Sequence, residues 1–537
     1  MGVQRILSRS RRRTSIIAAA IAALGARPAA AQLVTADLSG SIEANFSSGT
    51  DGSGNTTYSF INASATLDLN VPTIPVAAVN SGYWSDPLVW NGAPILLVND
   101  GVTIYGVFSD VVGAVLDFPN EVNSLVNSGP TEQSIGIPGF SLESSLGLNA
   151  SFGAYANLTY DVTVPTGIQI VMDQPTVIVQ SLAIQQGATL TGNGGFTVRT
   201  DLSNKGTLYN VGGTIQGNFL NITCGSQAAY ANITAPLTVQ GSLFNTGTVS
   251  IESGASLSVA QPTSNNGTLI QYGGAINVPG ALTNNASFQS FGGTIPSINN
   301  STNGIITIVS NNASPVRIWG GTLNNGGAIN WSGGPIEVDT SAVINNLAGG
   351  VIDATDDQAM YWTYNGQPTL NNAGLFEKTG GTGTTTLSNI IFNNTGIVEV
   401  DSGTLEFGGG VTQISGTVLT GGTWIIKCGG ALAIPGATIL SNQGNVTLDG
   451  LGSTFPAIAG LQQNSGNFTI TNGQAFQSTG AMENDGKLHV GPGSLLTING
   501  PLSGTGSLSI CGGTAGVLAN FSQTEVTLNR EPMQSRS

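Results

Sequence analysis

The carboxylates best placed to do chemistry are Asp353, Asp356 and Asp357, with three aromatic residues close behind at Tyr361, Trp362 and Tyr364. Two carboxylates beside aromatic platforms suit sugar binding, and at the right separation they suit inverting or retaining glycoside hydrolysis. The three aspartates are also oxygen donors of the kind calcium takes. A solvated loop whose aromatic residues cover the core is the structural alternative. The three aspartates are thus the catalytic candidates and Tyr361, Trp362 and Tyr364 the ligand-binding candidates. No metal or cofactor is expected unless calcium sits among the aspartates. The cluster has no histidine or arginine beside it.

The rest of the chain offers little chemistry. The single histidine, His489, alternates with Leu488 and Val490 and is expected to face solvent, which leaves a histidine triad or zinc site without a basis. Cys224, Cys428 and Cys511 are too widely spaced for a disulfide framework or metal motif; isolated buried thiols are expected, with one bridge as the alternative. Trp319, Trp362 and Trp424 stand 43 and 62 residues apart, near two and three periods of the repeat described next. They either form a carbohydrate-contacting stripe or pack inward and at edges.

These residues sit in a repeat running from about 202 to 510. LSNKGTLYNVGGTI begins at Leu202, LTNNASFQSFGGTI at Leu282, LNNGGAINWSGGPIEV at Leu323 and FNNTGIVEVDSGTLEFGGG at Phe392. The lead residues Leu323, Ile344, Leu370 and Phe392 are 21, 26 and 22 apart. Such a period points to a solenoid. Within each copy the apolar residues alternate, as in Gly403-Thr404-Leu405-Glu406-Phe407, which reads as short strands bounded by Gly and Asn. With 76 glycines, helix is disfavoured. The expected fold is all-β: a right-handed parallel β-solenoid over 201–510, about 20–22 residues per coil and roughly 14–15 coils at about 4.8 Å per rung. Aliphatic side chains would form its inner column, and stacked asparagines amide ladders. An antiparallel sandwich or a string of immunoglobulin-like domains is the competing fold. The step lengthens to 26 around 354–369, so the aspartate cluster would lie on a bulging loop, where sites tend to sit. Asn-x-Ser/Thr triplets, as at Asn221, Asn266 and Asn467, read as turn chemistry of the repeat rather than glycosylation sites.

Residues 1–31 read as a secretory signal: five arginines, a short apolar core from Ile16 to Leu24, and Ala29-Ala30-Ala31 before Gln32. The net charge is −15; without Arg5, Arg9, Arg11, Arg12, Arg13 and Arg27, 8 basic residues face 29 acidic ones, or −21. Such a chain is a poor partner for nucleic acid or anionic lipid. No second long apolar run suggests a transmembrane helix in the mature chain. The expected organisation continues with an N-terminal β region or cap at 32–82, a further β region at 83–200, the solenoid at 201–510, and a last strand with polar tail at 511–537.

The 83–200 region resembles the eight-glycine domain of extracellular proteins. The likeness rests on Trp84-Ser85-Asp86-Pro87-Leu88-Val89-Trp90, Tyr160-Asp161-Val162-Thr163-Val164-Pro165-Thr166-Gly167, and Leu182-Ala183-Ile184-Gln185-Gln186-Gly187-Ala188-Thr189-Leu190, with about 105–159 as an insertion. It implies an extracellular, ligand-contacting role. From the residues themselves, Trp84 and Trp90 are expected to clamp the start of the core. The repeat region resembles bacterial secreted β-strand-repeat proteins of the adhesin or autotransporter-passenger kind. Together these imply a secreted or cell-surface structural or adhesive protein, non-catalytic, contacting glycans or other cells. The alternative is a polysaccharide-active lyase or glycoside hydrolase using Asp353, Asp356 and Asp357, as many parallel β-helix enzymes use acidic clusters. An outer-membrane secretion partner on another chain is a further expectation.

An exported product is expected to begin at Gln32 when its amino terminus is sequenced. Recovery of an exported chain that still carries residues 1–31 would contradict the signal assignment.

Overall fold

The computed structural model describes residues 73–83, 85 and 159–529, apart from 193–194, 311–313, 364, 518–519 and 524, together with isolated strands between 33 and 158. The signal segment, Trp84, Trp90, Tyr364 and the tail 530–537 lie outside the described residues. Two compact units result: 1–220 with 224–230, and 221–223 with 231–537. The described residues are nearly all β. Parallel solenoid turns number about 18 in all. The one helical element among them is a 3-10 turn at Pro456–Ile458. No described helix is long and apolar enough to cross a membrane.

The first unit holds two kinds of sheet. Asp37–Thr50 and Thr56–Asn70 pair antiparallel, as do Gln133–Ser144 and Asn149–Leu158. A short parallel contact at Tyr155 and Ala156 with Asp68 and Leu69 joins the two hairpins. The expected cap and the expected insertion therefore build one six-stranded sheet, with Val102–Tyr105 at its edge. Parallel winding starts well before 201. Ile74–Ala77, Tyr160–Val164, Ser181–Ile184 and Leu202–Asn204 stack in order. Gly167 and Gly187 turn the chain after two of these strands at φ of 80° and 73°, a backbone region that glycine enters without a side-chain clash.

In the second unit each coil carries up to three short strands. One coil runs Thr322–Asn325, Ala328–Ser332 and Ile336–Asp339, and the next opens at Val343–Asn346. Alternation decides which residues turn inward. Ile298, Leu323, Ile344, Leu370 and Phe392 pair rung to rung in parallel register, each at most 1% exposed. These parallel registers rule out the antiparallel sandwich.

The first strand of most coils ends in a buried asparagine, and these amides form a ladder. The donor Nδ2 of Asn221 meets Oδ1 of Asn245, and the chain continues through Asn265, Asn284, Asn300, Asn325, Asn346, Asn372 and Asn394 at 2.7–2.9 Å. A second run links Asn442, Asn464 and Asn484, and Gln523 accepts from the last. The second N–H goes to a backbone carbonyl: that of Asn325 reaches Val351 O at 2.9 Å. Both donors are thus used and the buried amide is paired. The ladder partners are 16 to 26 residues apart, a wider spread than the expected 20–22.

Where a glycine stands two residues after a ladder asparagine, as Gly374 does after Asn372 and Gly396 after Asn394, it is needed for space rather than for positive φ. A Cβ on Gly396 would sit 2.2 Å from Gly374 O, and one on Gly374 2.2 Å from Gly350 O.

Between Asn394 and Asn442 the ladder stops. A small hairpin, Ile414–Ser415 with Val418–Leu419, enters here, and Leu419 pairs with Asn442. The interior turns aromatic: Phe392 and Phe407 stack at 4.1 Å, with Trp424 edge-on to both.

Asn325→Ala is expected to cost about 1–3 kcal/mol for each amide or carbonyl group left unpaired. Asn324→Ala, on the outer side of the same strand, should stay within about 0.5 kcal/mol. Thermal and urea melts of the two variants check this; equal losses would contradict the ladder's role.

Candidate functional site

A groove of about 580 Å³ opens on the third-strand face of the second unit. Thr238, Ser258 and Asn277 occupy one outward column of successive rungs, and Thr294 pairs in turn with Arg317. Asn277 Nδ2 donates to Ser258 Oγ at 3.1 Å. Pro279 and Pro296 add apolar surface, and Trp319 lines the groove with its indole 42% exposed. The Arg317 guanidinium carbon lies 5.3 Å from the Trp319 ring centroid, a cation–π contact that holds the indole in place. Among the described residues no side chain of Asp, Glu, Lys or Arg lines the groove.

Next along this face lies a charged cluster that sequence reasoning missed. Arg317, Glu337, Tyr361 and Ser388 are paired in register on consecutive rungs, and Trp319 pairs with Asp339. Arg317 Nε donates to Glu337 Oε2 at 3.0 Å. Thr363 Oγ1 reaches Asp339 Oδ2 at 2.9 Å, with Glu337 Oε1 at 3.3 Å. Burial and the Glu337 carboxylate push the Tyr361 phenol up, and Arg317 opposes them. The corner after this strand is strained: Thr340 and Ser341 both have positive φ, 57° and 56°, uncommon for any residue but glycine and most so for the β-branched Thr340. Asp339 Oδ1 accepts from Thr340 N at 2.7 Å, and Ser341 N donates to Gly366 O of the 361–367 segment. The available signal was alternation: in Ile336-Glu337-Val338-Asp339 the carboxylates take the non-aliphatic positions, with Arg317 twenty residues earlier.

The three aspartates of the sequence reading are dispersed rather than gathered. Asp353 lies on the second-strand face, in register with Glu377, which is in register with Glu399; it accepts from Thr379 Oγ1 at 2.6 Å. Asp356 turns back to the backbone N–H of Asp357 at 2.7 Å. Asp357 accepts from Lys378 Nζ at 2.8 Å and from Gly383 N at 2.8 Å. Lys378 is an inward residue, aligned with Ala354 and Val400 and fully buried. Its ammonium also meets Gly380 O at 2.7 Å and Asp356 O at 3.4 Å, so Asp357 is the counter-ion of a buried cation. The Lys378 hydrogen bond holds the Asp357 carboxyl below the usual range, against partial desolvation. Among the described residues no group of three or more His, Cys, Asp or Glu side chains is placed to hold a metal ion. Burial, then the charges of Asp353, Glu399 and Asp401, push the Glu377 carboxyl up.

The three tryptophans do not form one stripe. Trp319 is exposed, Trp362 is half-buried with its backbone N–H donating to Ser388 O at 3.2 Å, and Trp424 is wholly inside. The cysteines form no disulfide, and Cys224 and Cys428, at corners, are exposed rather than buried, while Cys511 is half-buried. His489 is half-buried between the buried Leu488 and Val490, on the outer side of its strand. Comparison with protein-family models, with curated proteins and with solved structures gives no match.

Asp357→Asn should destabilise the fold by about 1–3 kcal/mol, toward the low side for a buried pair because Asp357 is partly exposed. Lys378→Met, which fits the apolar column, should cost less. A depressed carboxylate stabilises above its unfolded value and loses that contribution as pH falls through its folded value. The gap between parent and Asp357→Asn should therefore persist at neutral pH and close below about pH 4. Melts at both pH values test this; a gap that is absent at pH 7, or a Lys378→Met loss larger than that of Asp357→Asn, would contradict the counter-ion assignment.

Proposed function

We propose that the protein is a secreted or cell-surface β-solenoid with a structural and adhesive role, contacting glycans or neighbouring cells without catalysis of its own. The observation that carries this is the outer face of the first strands. Asn299, Asn324, Asn345, Asn371 and Asn393 form a second amide column, in which each of the last four donates to the residue one coil earlier at 2.8–3.2 Å. Each column bond uses one of an amide's two N–H donors; the Asn393 oxygen at the end of the column is taken up by Thr412 and Gln413. A regular row of amides, with the hydroxyls of the third-face groove, offers many weak hydrogen bonds to a polyhydroxylated partner and little charge to an ionic one.

The composition of 1–31 supports export. The likeness of 83–190 to the eight-glycine domain, and of the repeat to adhesin and autotransporter-passenger proteins, supports the surface role. An outer-membrane partner in secretion belongs to the same proposal. The partners of Asp353, Asp356 and Asp357 give the lyase or hydrolase alternative no added support, since each carboxylate already serves a neighbour in the fold.

Purified 32–537 chain is expected to bind members of a glycan and cell-surface panel while releasing neither reducing ends nor unsaturated sugars. Asp353→Asn and Asp356→Asn should leave that binding within about twofold, as for surface changes. Product release that these substitutions abolish would replace the adhesive reading with the enzymatic one.

A further inference from the structure

We propose that the third-face groove between Thr238 and Trp319 is a binding site for a neutral, extended polysaccharide chain, with Trp319 as the platform on which one sugar ring stacks. This rests on the glycan-contacting role proposed above and names the site and ligand class within it.

The floor sets uncharged polar side chains among a larger apolar surface. Thr238, Ser258 and Asn277 place one hydrogen-bonding side chain per rung along a straight column. From Thr238 to the rung of Trp319 the groove spans about four rung spacings, on the order of 20 Å. That length suits several linked sugars. Pro279 and Pro296 line it alongside the hydroxyl and amide groups. Trp319 adds a large apolar surface that is exposed, yet held by Arg317 on the same strand. A ring platform beside hydroxyl and amide groups matches the two kinds of surface a sugar carries, C–H faces and hydroxyl edges.

Charge selects among polysaccharides. Arg317 is paired with Glu337 and is not among the lining side chains, and the chain carries −15 overall. A polyanion would be repelled by the protein's field and meet no cation in the groove. A peptide is disfavoured for another reason. At Ser258 the floor strand pairs with the rung of Thr238 on one side and that of Asn277 on the other, so an extended peptide finds no open edge there.

The test is titration calorimetry of the 32–537 chain with neutral oligosaccharides of six or more units, from galactomannan, arabinoxylan and mixed-linkage glucan, alongside polygalacturonate and an unstructured polypeptide. At least one neutral series should bind and polygalacturonate should not. Trp319→Ala should weaken binding by about tenfold or more, as expected of an aromatic anchor, and Trp319→Tyr should restore part of it. Tyr272→Ala removes an equally exposed aromatic outside the groove and should change nothing. Melts of each variant confirm the fold, which an exposed side chain should not disturb. Neutral-glycan binding that Trp319→Ala leaves intact would overturn the groove assignment while leaving the adhesive role standing. Preference for polygalacturonate or for the polypeptide would overturn the ligand class. No carbohydrate binding at all would overturn both the site and the role.

Discussion

A buried amide has to be paired, and in this chain the pairing runs from each coil to the next. Asn325 is unexposed, and its side chain can be satisfied there only by Asn300 on one side, Asn346 on the other, and a carbonyl of the following coil. An unpaired amide in that position would cost about 1–3 kcal/mol. A slip of one residue would move the amide to solvent and an outward residue into the column. The ladder therefore fixes register in a way that interchangeable aliphatic residues do not. The carbonyl contact also fixes which end of each amide donates. The outer column, Asn299 to Asn393, donates the opposite way, so the two rows of amide dipoles oppose each other.

With register fixed at the first strand, coil length is free to vary elsewhere. Ladder partners 16 residues apart and 26 apart coexist because the extra residues emerge at the corners and along the second and third strands. The 26-residue coil spends its excess on the segment that meets the strained Thr340–Ser341 corner beside Glu337 and Asp339. Where the hairpin at 414–419 displaces the ladder, packed aromatic rings take over the interior. The groove lies where the third-strand pairing that reaches Ala275–Asn277 gives way to the one that starts at Gly293–Thr294.

The sequence made the coil, the aliphatic column and the amide ladder legible because all three obey one short period carried by residue types. The start of winding at Ile74 was hidden by the long excursion between the first coil and Tyr160. Trp424 and Trp319 looked equivalent by spacing, yet variable coil lengths put one inward on the second strand and the other outward on the third. Lys378 was readable in principle, since it alternates with the inward Phe376, but a charged residue in an apolar column runs against the usual expectation. The aspartates attracted attention by proximity in sequence, whereas strand alternation and a corner send them to different neighbours. The groove left no sequence signal, because Thr, Ser and Asn at outward positions are ordinary throughout this chain.

The claim beneath all of this is one coil per rung in parallel register. It is tested most directly by a spin-label distance between Asn299→Cys and Asn393→Cys, with Cys224, Cys428 and Cys511 replaced by serine. These outer-column positions are 94 residues apart in sequence but four rungs apart in space. A narrow distribution near 20 Å is expected from the strand spacing. A broad distribution, or one centred well beyond 30 Å, would contradict the stacking on which the groove and the ladder both depend.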